Sequence, residues 1–128
     1  MEIADWEIRD VQGLIDKLKS VWTWHDYIRE SWKGNLILEL HTGGDSGNEQ
    51  LIKELKKNRL FWIMFWWKSE RGGHYYFEID FKILGYKSVS EYIKEKGVSR
   101  QYVSQNKHKF DWVVISEKKK LIREKTWK

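Results

Sequence analysis

The chain has 128 residues, carries 24 Lys and Arg against 19 Asp and Glu for a net charge of +5, and contains neither cysteine nor proline. That length suits one domain, or a domain with a small module beside it. The missing cysteines exclude disulfides, zinc ribbons, thioredoxin-type motifs and thiol nucleophiles, and no apolar run nears the roughly 18 residues of a membrane span.

Taken from the N-terminus, Ile8, Val11, Leu14, Ile15, Leu18 and Val21 recur at three- and four-residue spacing. That spacing predicts a helix, which Gly13 weakens by about 1 kcal/mol relative to alanine. Trp24, Tyr27, Ile28 and Trp32 fit a second short helix over residues 23–32, capped by Thr23 and ended by Gly34-Asn35. Residues 35–41 alternate, with Leu36, Leu38 and Leu40 on one side, and read as a strand. A glycine loop over 42–48 leads into an amphipathic helix over about 49–58, with Ser46 or Asn48 as its cap. Residues 60–67 (LFWIMFWW) are apolar on both sides, which predicts a central strand covered from both faces. A charged, glycine-ended turn then joins a second alternating strand over 74–81. The order is β-α-β-β, with a parallel first pair if those strands are neighbours and an antiparallel hairpin after it.

Two features of this half suggest chemistry. HTGGDSGNE (41–49) leaves a strand and enters a helix, so Gly43, Gly44 and Gly47 permit close backbone approach to a ligand near His41 and Ser46. Its spacing matches neither a phosphate loop nor a dinucleotide fingerprint, and Glu49 would repel phosphate; a capped turn is the plainer reading. In RGGHYYFEI (71–79), His74, Tyr76 and Glu78 would share a sheet face with Glu39 and His41 if the two strands align. Two histidines and a carboxylate could hold a metal or move protons, yet no spacing demands it, and Ser46 has no nucleophile elbow. We therefore expect no catalytic residue, metal or cofactor, and keep His41, Gly43, Gly44, Ser46, Arg71 and His74 as ligand candidates. Nine tryptophans exceed what so small a core needs, so Trp32, Trp66, Trp67 or Trp127 could line a cleft or partner surface.

Charge divides the chain. Residues 1–81 hold 11 basic and 14 acidic side chains, net −3, whereas 82–128 hold 13 and 5, net +8. Two domains are expected at that boundary: an aromatic α+β domain, 1–81, and a basic module, 82–128. Residues 88–109 read as two helices joined by Gly97-Val98-Ser99, and the segments 112–116 and 121–124 as a two-stranded wing. Gly97 suits the left-handed end of the first helix and Ser99 the cap of the second.

The string SVSEYIKEKGVSRQYVSQNKHKFDWVVISEKKKLI resembles the winged helix-turn-helix modules of phage excisionases and MerR-like regulators. It departs from them at Ile93, where a small residue is usual, and near Asn106-Lys107, where an apolar one is expected. The resemblance implies DNA as partner. Arg100, Gln101, Ser104 and Gln105 would then read base edges, while Lys107, Lys109, Lys118, Lys119 and Lys120 contact phosphate. The pattern HTGGxSGNE…NRLFW…RGGHYYFE also resembles small uncharacterised phage and prophage proteins, which implies an accessory role without assigning an activity.

The expectation is an α+β chain of N-terminal helices, a three-stranded β-α-β-β sheet and a C-terminal winged helix-turn-helix-like module. It would be a non-enzymatic, phage-type accessory or regulatory protein that binds DNA in the bacterial cytoplasm, not at a membrane. The alternative is an antagonist of host defence, anti-CRISPR-like or a nucleotide sponge, that holds a host protein or small nucleotide on the aromatic half.

Overall fold

The computed structural model describes residues 2–125, so Trp127 lies outside the described residues. The chain is α+β and divides into two compact units, Met1–Asp80 and Phe81–Lys128, each with its own antiparallel sheet.

The first unit opens with two 3-10 turns before helix α1 (Val11–Val21), whose Val11, Leu14, Ile15 and Leu18 are buried. Asp10 caps it by accepting the Gly13 N–H. A Cβ at Gly13 would lie 2.3 Å from the Asp10 carboxylate, so the glycine makes room for the cap. The helix expected over 23–32 is not formed. His25–Tyr27 is a 3-10 turn and Ile28–Lys33 is strand β1. Gly34, at φ +80°, reverses the chain so that β1 pairs antiparallel with β2 (Asn35–His41), and this ladder overrides the helical spacing. Thr23 caps nothing; its N–H donates to the Asn48 side chain.

Helix α2 (Ser46–Lys57) is capped by Asp45, not by Ser46 or Asn48. Asn48 is instead fully buried as a tie, its amide donating to the Thr23 and Thr42 carbonyls. The expected central strand over 60–67 is also corrected. Helix α3 (Arg59–Phe65) takes most of it, and β3 (Trp66–Glu70) begins only at its end. Phe61 and Phe65, one turn apart, are buried while Leu60 and Ile63 are exposed, a helical period hidden inside a uniformly apolar run. Asn58 starts this helix, accepting the Phe61 N–H and donating to the carbonyls of Ile3 and Trp6.

Strand β4 (His74–Ile79) completes a sheet of order β1-β2-β4-β3. It has four strands rather than three, and no pair is parallel: β4 returns from its hairpin with β3 to lie antiparallel against β2. Leu36, Leu38, Leu40, Phe77 and Ile79 form the buried face, with the α3 ring of Phe61 5.2 Å from that of Phe77.

In the second unit β5 (Lys87–Ser88) leads into α4 (Val89–Lys96) and α5 (Arg100–Gln105), followed by β6 (Phe110–Val114) and β7 (Lys120–Glu124). The expected two-stranded hairpin is present and gains β5 as a third strand, in the order β5-β7-β6. Tyr92, Val103, Phe110 and Ile122 form the core, with Val89, Ile93, Val98 and Trp112 against it. Arg123 is buried over the Tyr86 ring at 4.3 Å and bonded to Asp111 and the Leu84 carbonyl. Among the described residues no helix is long and apolar enough to cross a membrane.

Burial, and then its hydrogen bond to Glu124, pushes the Tyr92 hydroxyl up to about 12 from its ordinary 10.0. A raised acid favours the protonated folded state, so this stabilisation is complete below pH 10 and is lost as pH rises through about 12. Ultraviolet phenolate titration should therefore show a step near pH 12, and Tyr92→Phe should remove that step while leaving the separately raised Tyr76 in place.

Candidate nucleic-acid interface and a histidine pair

The helical pair is set by three local devices. Ser88 caps α4 by accepting the Glu91 N–H. Gly97, at φ 67° and ψ 30°, ends α4 in the left-handed conformation. Ser99 then caps α5 by accepting the Tyr102 N–H at 3.0 Å. With Val98 and Val103 turned to the core, Arg100, Gln101, Ser104, Gln105, Lys107 and Lys109 are exposed. At the resemblance's two departures, Ile93 packs against the core. Asn106 closes α5 after six residues by donating to the Tyr102 carbonyl.

The tip of the β6–β7 hairpin is a tight turn in which Ser116 accepts the Lys119 N–H, leaving Lys118, Lys119 and Lys120 exposed. Two participants escape the sequence. Ser90 on α4 accepts from Arg100 Nη2 at 2.6 Å and fixes the guanidinium's direction. Tyr102 is 38% exposed on the same helix as the polar set. The Ser90 contact spans two elements, so no periodicity signals it. Lys87 pairs with Glu95 at 2.6 Å and holds its carboxyl below the usual range.

In the first unit, the register places His41 directly opposite His74. The adjacent Thr42 N–H donates to the Gly73 carbonyl, which leaves the histidines as the non-bonded pair whose side chains lie closest. Their Nδ1 atoms are 2.7 Å apart, so one ring donates and the other accepts. Glu39 lies 3.5 Å from His41 Nε2, and Tyr76 meets the His41 ring edge-on. Tyr76 ionises above its ordinary range, first through burial and then through Glu70. Glu78 shares the face but accepts from Asn35 rather than from either histidine. No group of three metal-ligating side chains exists among the described residues.

The glycine loop does not gather the other candidates. Asp45 takes the Asn48 N–H with its carboxylate and the Glu49 N–H with its carbonyl, so a negative charge already occupies the start of α2. Gly43 packs on Trp24 and Tyr27, and a Cβ there would fall 2.5 Å from the Tyr27 ring. Packing thus accounts for this glycine. Gly44, Ser46 and Arg71 are exposed. No family model matches the chain, and neither curated proteins nor solved structures give a significant match.

Proposed function

We propose that the chain is a phage-type accessory protein of the bacterial cytoplasm that binds duplex DNA through its second unit, used as a winged helix-turn-helix-like module. The observation that carries this reading is the exposed polar face of α5, in a chain segment of net charge +8 that also presents the lysine hairpin tip. Arg100 and Gln101 have the paired donors and acceptors that match guanine and adenine edges in the major groove. Lys107, Lys109 and Lys118–Lys120 supply phosphate contacts that position the module without reading sequence. The reading is one of binding, not catalysis.

The test is fluorescence anisotropy with a mixed duplex pool at 50 and 200 mM salt. For the five lysine contacts named, at about 0.9 each in the slope, affinity should fall roughly 500-fold across that range. Arg100→Ala should weaken binding while leaving the circular dichroism spectrum intact. Absence of binding at 50 mM salt, or an Arg100→Ala protein that binds like the parent, overturns the reading.

A second reading, an antagonist of host defence, is favoured by the exposure of Leu60, Ile63, Trp66 and Trp67, an apolar set that suits a protein partner. The recess beside Trp24, Tyr27 and Gly43 is where a nucleotide would stack in the sponge version of that role.

A further inference from the structure

One end of the first unit's sheet holds a recess of about 300 Å³ lined by Asn35, Met64, Trp66, Trp67, Glu78 and Asp80. Its two indoles are 44% and 52% exposed, yet both are fixed. Trp66 stacks on Trp62 with rings 13° from parallel and donates Nε1–H to Ser69 Oγ. Trp67 meets Tyr76 edge-on. Glu78 is exposed and held by the Asn35 amide at 3.0 Å. Rigid rings beside a fixed carboxylate bind at little entropic cost.

Rings next to the recess, on both faces of β4, already take cations from the chain itself. Lys68 Nζ sits 4.9 Å from the Trp67 ring and 4.7 Å from Tyr76, and Lys56 Nζ sits 5.6 Å from both Trp62 and Tyr75. At the recess, carboxylates join the rings.

We propose that this recess receives the guanidinium of an arginine on a basic segment of a partner protein. A guanidinium is planar, so it stacks flat on an indole while directing two N–H groups at a carboxylate in a fixed fork; an ammonium, as Lys68 shows with Trp67, Tyr76 and Glu70, reaches both as a point charge without that paired geometry. The recess belongs to the part of the chain with net charge −3, which disfavours phosphate. The inference is therefore separate from DNA binding by the second unit.

The experiment titrates the full chain into a fluorescein-labelled Gly-Arg-Gly-Arg-Gly peptide and its lysine counterpart, read by anisotropy. The arginine peptide should bind about tenfold tighter than the lysine one. Glu78→Gln, which keeps an acceptor for Asn35, should weaken it about tenfold, and Trp67→Leu about two- to fivefold. Glu49→Gln, an equal charge change at an exposed position of α2, should bind like the parent, and duplex DNA affinity should be unchanged in all three variants.

Equal affinity for the two peptides, or equal losses from Glu49→Gln and Glu78→Gln, would reduce the effect to general attraction and overturn the proposal. So would absence of peptide binding. Sedimentation velocity showing that the peptide dissolves a self-associated species would overturn it too, by assigning the recess to the basic unit of a second copy.

Discussion

Replacing Asn58 with alanine is expected to destabilise the first unit by about 3 kcal/mol, read from denaturant unfolding followed by tryptophan fluorescence. The side chain is 6% exposed and makes three bonds: donation to the Ile3 and Trp6 carbonyls, and acceptance from the Phe61 N–H. Its own N–H also closes α2 on the Glu54 and Leu55 carbonyls, so one residue ends one helix, starts the next and anchors the N-terminal turns. Alanine leaves two carbonyls and an amide without those partners, and each such buried group costs roughly 1–3 kcal/mol. Asn58→Asp keeps the cap acceptor but sets a buried carboxylate oxygen against the Ile3 and Trp6 carbonyls, so at neutral pH it should cost at least as much as alanine. A loss below about 1 kcal/mol for Asn58→Ala would show that the N-terminal turns are held by other contacts.

Changing Lys118, Lys119 and Lys120 together to alanine is expected to act on salt dependence more than on sequence preference. Each phosphate contact contributes about 0.9 to the slope of log affinity against log salt, so three contribute about 2.7. The loss of affinity between 50 and 200 mM salt should then shrink by about fortyfold relative to the parent. Ser104→Ala and Gln101→Ala should instead flatten the preference among duplexes and leave the slope nearly unchanged. An unchanged slope in the triple variant would place the hairpin tip away from the phosphates.

The contrast between the two apolar segments shows what a sequence makes legible. Leu36, Leu38 and Leu40 alternate with Ile37, Glu39 and His41, so a period of two is written in polarity, and β2 forms there. Residues 60–67 are apolar throughout and carry no period. The choice between helix and strand there shows only in which rings the fold buries, and Asn58 ahead of the run was the local clue to a helix start. β1 fails in the opposite way: Trp24, Tyr27, Ile28 and Trp32 satisfy a helical template, but the pairing with β2 across Gly34 is tertiary and decides the outcome.

The candidate interface divides along the same line. Gly97 and Ser99 announce the turn and the cap, so the exposed residues of α5 can be named beforehand. The Arg100 contact with Ser90 joins two helices and depends on how they pack. The cross-strand meeting of His41 and His74 is intermediate, since alternation puts each on the polar side of its own strand, but the shared face and the 2.7 Å contact depend on the pairing and register of β2 with β4.

The outer strand β3 slips register between Trp66 and Lys68, where its ladder with β4 is broken. A bulge of this kind bends a strand and sharpens its twist, and the edge beyond it turns away from a straight path. A foreign strand laid along β3 would lose step at the same place and meet the projecting Trp67 ring. The bulge thus works against pairing of this edge with a second sheet, although every residue of β3 is exposed and two of the five are tryptophan.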